Sequence, residues 1–236
     1  MAFVGKGGAG KSSVSGTVCR HLARAGTPVL ALDVDTMPGM AYSLGATGAD
    51  ARLPAGIFEM VKERGWVKVK ANSPSRLVDR FALKAPDGVR LLELGKLPAR
   101  VEPGSSVAFR YVMERFRRPG WALVADLAAG TRQPMVRWAR FARVVVVVAD
   151  SSAKSLMSAR RLLPAATHLL ANRVTGEQDL RHIRESVPLP LIGAIPYDEA
   201  VADADRQGVA LIDFAPDSRA ARAAGELAGR LLKEIG

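Results

Sequence analysis

Cysteine occurs once in the 236 residues, at Cys19. A single thiol excludes an internal disulfide and a zinc site of clustered thiolates. Cys19 reads as a small core residue on a helix, the ordinary setting of a free cysteine. Histidine occurs three times, at His21, His168 and His182, with no metal-ligand spacing among them. Long apolar runs are missing as well. The longest, 144–149, ends at Asp150 and falls far short of the roughly 20 residues that a membrane-crossing helix needs. A glycine-rich loop begins at Gly5, which leaves no room ahead of it for a basic, then apolar, then small-residue leader. A cytoplasmic setting with no membrane span is the expectation. Acidic residues are the minority charge: 23 Asp and Glu stand against 34 Lys and Arg, a formal net charge of +11. That surplus suits anionic partners, nucleic acid or acidic protein surfaces. Its densest groups are Arg115, Arg117 and Arg118, and separately Arg137, Arg140 and Arg143.

What is present is ordinary globular composition, 48% hydrophobic and 24% charged, in a length that suits one sizeable domain over 1–236. Short aliphatic runs alternate with segments of helical period. Strands are expected at 2–4, 29–33, 89–94, 121–126, 144–148, 168–171 and 191–195, and helices at 11–25, 40–44, 105–116, 134–140, 153–163, 177–186, 199–206 and 218–235. Several strands are apolar throughout, as when helices cover both faces of a parallel sheet. The fold class expected is α/β, a three-layer P-loop NTPase fold with a mostly parallel central sheet. The stretch 46–87, broken by Pro54, Gly56, Gly65, Pro74 and Pro86, reads as an irregular insertion over one end of that sheet. The last helix carries Ala220, Ala224, Leu227, Leu231 and Ile235 on one stripe, without Trp or Phe, which favours docking on the domain over insertion into lipid.

The chemistry sits in Gly5-Lys6-Gly7-Gly8-Ala9-Gly10-Lys11-Ser12, a glycine, four residues, then Gly-Lys-Ser between a strand and a helix. Glycines let backbone N–H groups turn inward around phosphates, and the helix N-terminus adds a positive dipole end. Lys11 would reach the β- and γ-phosphates, and Ser12 would place its hydroxyl on Mg²⁺. The same residues satisfy Gly5-x-Gly7-x-x-Gly10 with Asp33 closing the next strand, so an NAD-type oxidoreductase competes. Hydride transfer does not explain Lys11 and Ser12 together. Asp126 ends an apolar strand and is followed by a small-residue loop containing Gly130, the placing of a metal-holding acid and a γ-phosphate-sensing loop. Asp33 and Asp35 lie two residues apart at a strand end, within reach of metal and attacking water. Asn172 follows a strand at the carboxyl end of the sheet, and its amide suits the donor–acceptor edge of adenine. Asp198 either accepts from the adenine amino group or caps the helix at Glu199.

With Lys6 and Ser13 included, the loop resembles the deviant Walker A loop of a superfamily of dimer-forming P-loop ATPases. Members include the nitrogenase iron protein, the arsenite-pump ATPase, septum-placing and chromosome-partitioning ATPases, and the nickel-insertion ATPases of carbon monoxide dehydrogenase. The resemblance implies that Lys6 reaches across a dimer to the partner's nucleotide. It makes Ala31-Leu32-Asp33-Val34-Asp35 similar to switch I and 126–131 similar to Walker B with switch II. It also makes Asn172-Arg173 similar to an adenine-contacting Asn-Lys pair, and Pro196-Tyr197-Asp198 similar to the loop on the other side of the base. The nickel-insertion branch looks nearest, from Gly193-Ala194-Ile195-Pro196-Tyr197-Asp198 and the run through Val148, Asp150 and Lys154. Its Cys-x-Cys pair has no counterpart here, since 94–105 contains no cysteine.

The function implied is a homodimeric, Mg-ATP-binding switch ATPase, a maturation or assembly factor acting on an unidentified client protein. The alternative is a partitioning or positioning ATPase that binds DNA or a surface in its ATP state.

Overall fold

The computed structural model describes residues 1–35, 39–46, 51–54, 57–61, 66–69, 73–95, 104–130, 134 and 138–236. Strand β1 (Ala2–Gly5) runs through the glycine loop into helix α1 (Lys11–Arg24), followed by β2 (Val29–Asp33) and α2 (Met40–Leu44). A hairpin, β3 (Phe58–Val61) and β4 (Trp66–Val69), precedes α3 (Pro74–Phe81), β5 (Leu83–Lys84), β6 (Arg90–Glu93) and α4 (Gly104–Arg115). Then come β7 (Ala122–Asp126), β8 (Val145–Ala149), α5 (Ala153–Arg161), β9 (His168–Val174), α6 (Glu177–Ser186) and β10 (Leu191–Pro196). Helices α7 (Glu199–Gln207), α8 (Leu211–Phe214) and α9 (Arg219–Ile235) complete the chain.

Among the described residues eight strands form one sheet in the order β10-β9-β8-β1-β7-β2-β6-β5, parallel except for the short edge strand β5. Alternation within each strand sorts side chains to two faces. Phe3, Ala31, Val124, Val146 and Leu170 meet the buried sides of α1 and α9, while Val4, Leu30, Leu32, Ala125 and Val147 meet α3, α4, α5 and α6. Each fully buried Leu or Phe in these layers contributes about 1.5–3 kcal/mol relative to exposure. This is the expected three-layer α/β architecture. The apolar stripe of α9 is docked on the sheet, with Ala220, Ala224, Leu227 and Leu231 buried. Among the described residues no helix is long and apolar enough to cross a membrane.

One expectation needs correction. The stretch 46–87 is more regular than its prolines and glycines suggested, because the described part holds the hairpin, α3 and β5. Helix α3 starts at Pro74, where the missing N–H costs nothing, and buries Leu77 and Val78. Of the helix expected over 134–140, Pro134 is helical and Trp138–Phe141 forms a short 3₁₀ turn, while residues 135–137 lie outside the described residues. Residues 96–103, 131–133 and Arg137 also lie outside them. Because β1 lies between β7 and β8, the ends of β1, β2, β7, β9 and β10 open on the same side of the sheet. Ligands of open parallel sheets bind at that side.

Candidate nucleotide-binding site

The loop after β1 is shaped by two close backbone approaches. Gly5 has φ +148°, and a Cβ there would come within 2.6 Å of the Val148 carbonyl oxygen. Gly10 has φ +90°, and a Cβ there would lie 2.3 Å from Asn172 Nδ2. Only glycine fits either place. Inside the loop the Lys6 carbonyl accepts from the Ala9 N–H at 3.2 Å and from the Lys11 ammonium at 3.4 Å. Lys11 is only 6% exposed. A buried cation held by a carbonyl, beside the N-terminus of α1, leaves positive potential for an anion to answer. Lys6 is half-buried and its ammonium donates to the Gly7 carbonyl at 3.2 Å. Around Gly8 a Cβ would meet open space.

Ser12 Oγ donates to Asp126 Oδ2 at 2.5 Å, joining the start of α1 to the end of β7. Asp126 Oδ1 is buried and, among the described residues, has no hydrogen-bond partner. Burial first, and then the neighbouring Asp33 charge, push the Asp126 carboxyl up to about 7, against the opposing pull of Ser12 and Lys11. An orphaned carboxylate oxygen beside a hydroxyl is an all-oxygen donor set, and it fits a hard cation such as Mg²⁺. Asp33 is the register partner of Asp126 on the adjacent strand. Its oxygens are already engaged: Oδ1 accepts from the Asp35 N–H, and Oδ2 from the Gly39 and Met40 N–H groups at 2.9 Å each. Burial raises its pKa while these amides pull the other way. Asp33 therefore ties the Asp35 backbone to the start of α2, and Ser12 with Asp126 forms the hydrogen-bonded oxygen pair. Gly130, at φ +98°, donates its N–H to the Gly5 carbonyl at 3.1 Å, laying the loop after β7 against the phosphate loop. Thr131 lies outside the described residues.

Beside the loop opens a cavity of about 300 Å³, near the lower size for small-molecule sites. Gly10, Ser13, Asn172, Arg173, Pro196 and Asp198 all border it, so one cavity unites residues from both sequence regions expected to flank a base. Strand β9 runs on to Val174, placing Asn172 inside the strand rather than after it. Arg173 follows with φ +56°, a left-handed conformation that costs a non-glycine residue on the order of 1 kcal/mol. Asp198 caps α7 while bordering the cavity: Oδ1 accepts from the Ala200 N–H and Oδ2 from the Ala220 N–H, at 3.1 and 3.0 Å. Tyr197, 49% exposed, stands on the cavity rim, a place that no sequence spacing distinguishes.

The model of the CobQ/CobB/MinD/ParA nucleotide binding domain matches residues 1–212. The chain belongs to that family. It is 24% identical to the carbon monoxide dehydrogenase accessory protein CooC of Rhodospirillum rubrum over 100% of this chain and 97% of that protein. It is 27% identical to the antiactivator FleN of Pseudomonas aeruginosa over 93% of this chain and 80% of that protein. In structure it resembles the septum site-determining protein MinD of Pyrococcus horikoshii, solved with Mg-ADP, at a TM-score of 0.78 and 19% identity, covering 100% and 96% of the two chains. Family membership accounts for a P-loop opening a parallel sheet, and the nucleotide-binding class for the phosphate loop and the cavity beside it.

Proposed function

We propose that the chain binds Mg-ATP, hydrolyses it slowly, and uses the ATP and ADP states of a homodimer to change its affinity for a client protein in a maturation or assembly role. The observation that carries this reading is one continuous site: the Lys11-bearing loop, the Ser12–Asp126 oxygen pair and the base-sized cavity at Asn172 open on the same end of the sheet. In it, Lys11 binds the β- and γ-phosphates together with N–H groups of the Gly5–Ser13 loop. Ser12 and Asp126 hold Mg²⁺, with Asp33 behind them, and bound Mg²⁺ supplies charge neutralisation across the phosphates. Asp35 orients the attacking water. Asn172, Arg173 and Pro196 enclose the base, and Gly130 couples the loop after β7 to the γ-phosphate through its link to Gly5. The likeness to CooC supports an accessory role, but the buried Cys19 is the only thiol, so no thiolate-held metal cargo belongs to the proposal.

A second reading, a positioning ATPase that binds nucleic acid in its ATP state, is favoured by one observation. Arg115, Arg117, Arg140 and Arg143 are exposed, and among the described residues none is in an ion pair. Retention on DNA that needs ATP and falls steeply with salt would favour this role.

Isothermal titration with Mg-ATP, Mg-GTP and NAD, on wild type and Lys11→Ala, tests the nucleotide reading. ATP should bind, GTP should bind more weakly and NAD should not bind, and Lys11→Ala should lose at least about 100-fold in ATP affinity. Thr175 already donates to Asp179, and a threonine there cannot take guanine's two N–H groups as a carboxylate would. Unchanged ATP affinity in folded Lys11→Ala would overturn the assignment.

A further inference from the structure

Strand β8 pairs with β9 as far as Ala149 opposite Ala171, and Asn172 is the first residue past that register. On that side the neighbour of β9 is no longer a strand but the phosphate loop, while β10 continues along its other side. Asn172 is 6% exposed, and its Nδ2 donates to the Ala9 carbonyl at 2.7 Å. Gly10 has no Cβ where that nitrogen sits, so the loop and the side chain are fitted to each other. In a trans peptide the C=O and the following N–H point in opposite directions. Holding the Ala9 carbonyl toward Asn172 therefore aims the Gly10 N–H away from it. Gly10 is the residue directly ahead of Lys11 and the N-terminus of α1. The same asparagine borders the base cavity.

We propose that Asn172 is a positioning residue for the phosphate loop, fixing the Ala9–Gly10 peptide so that the cradle is formed independently of any contact with a base. This rests on the reading of the loop as a phosphate site. A residue that only touched the base would act on ATP and leave base-free polyphosphates alone. A residue that sets the loop acts on both. The two roles are joined in one amide, so whatever displaces Asn172 from Ala9 also loosens the peptide beside Lys11.

The test uses Mg-tripolyphosphate, which carries the phosphate chain without ribose or base, titrated beside Mg-ATP into wild type, Asn172→Ala, Asn172→Asp and Asn172→Leu. Asn172→Asp keeps the shape and removes the donor but adds a charge, so it is read beside Asn172→Leu, which is close in size, neutral and without a donor and stands in should Asn172→Ala fail to fold. The variants should bind tripolyphosphate roughly tenfold more weakly, about the effect of one lost hydrogen bond to a buried carbonyl. Amide hydrogen exchange supplies a readout that general destabilisation does not move selectively: Ala9, whose N–H lies on the Lys6 carbonyl, should exchange faster while Val4 in β1 keeps its protection. Tripolyphosphate affinity unchanged in the variants, with only ATP weakened, would refute the positioning role and leave the phosphate site standing. Wild type that binds neither ATP nor tripolyphosphate would overturn the phosphate reading, and this inference with it.

Discussion

Asp126 is a site residue on which burial weighs heavily. Its carboxyl has one oxygen on Ser12 and the other without a partner among the described residues, and its pKa stands at about 7 rather than 3.8. The folded-state pKa of an acid is here raised. Below about pH 4 the group is protonated in both states and costs nothing. Between about 4 and 7 the unfolded chain ionises first and binds fewer protons, so stability falls as pH rises, by about 1.4 kcal/mol for each pH unit separating the two pKa values. Above about 7 the penalty is complete. Asp126→Asn keeps the shape and an acceptor for Ser12 but cannot ionise. Denaturant midpoints without Mg²⁺, at about pH 5 and about pH 8, should fall further for wild type than for Asp126→Asn, and an equal fall in both would contradict this account. Mg²⁺ needs the ionised form, so its affinity should rise over the same interval. At this scale Lys11, Ser12 and Asp126 were legible because a phosphate loop and a strand-terminal acid are local patterns. The bond from Asn172 to Ala9 was not, since it spans 163 residues and depends on where β9 ends.

Among elements, the helices that frame the cavity are tied by carboxylates that sequence alone left ambiguous. Asp198 caps α7 through the Ala200 N–H and also takes the Ala220 N–H at the start of α9. Losing both bonds should cost about 1–2 kcal/mol, the range of an N-cap deletion. Chemical denaturation of Asp198→Ala without nucleotide checks this. A variant as stable as wild type but impaired in ATP binding would restore the base-contact role instead. A second tie is invisible in the sequence. Arg20, 2% exposed on α1, bonds Asp87 and Asp213 and the Leu44 carbonyl at the end of α2, and Arg24 shares both acids. Arg20→Ala should destabilise by about 2–3 kcal/mol, less than a wholly buried ion pair, because both acids keep Arg24 and some water. A double-mutant cycle with Asp213→Ala measures the coupling, and additive losses would mean the pair contributes nothing. The alternating strands and amphipathic helices were readable from period alone. Helix α3 is hidden in the sequence although Ser73-Pro74 is a start signal, because the prolines and glycines around it read as loop.

For the whole molecule the consequential side chain is Lys6. It stands at the second place of the loop, half-buried, with its ammonium on the Gly7 carbonyl, while the buried Lys11 already faces its own loop. A carbonyl of the adjacent residue is a weak anchor for a cation, and the exposed glycines beside it put no side chain in the way of a second molecule. ATP bound in the loop would concentrate negative charge at this surface. Two chains meeting there about a two-fold axis each offer a Lys6 to the other's phosphates, giving two equivalent charge-assisted contacts. These strengthen as the closing interface excludes water, and they weaken when hydrolysis and phosphate release remove charge. The protein should therefore be monomeric or loosely associated with ADP or no nucleotide, and dimeric with a nonhydrolysable ATP analogue. Lys6→Ala should still bind ATP, because Lys11 and the loop amides remain, yet lose the nucleotide-dependent dimer and most of its hydrolysis. Light scattering after size exclusion, paired with a phosphate-release assay on wild type and Lys6→Ala, reads both properties. Dimerisation and turnover of Lys6→Ala at wild-type levels would remove the trans-acting lysine while leaving the phosphate site intact, since its geometry depends on Lys11, Ser12 and Asp126 and not on Lys6.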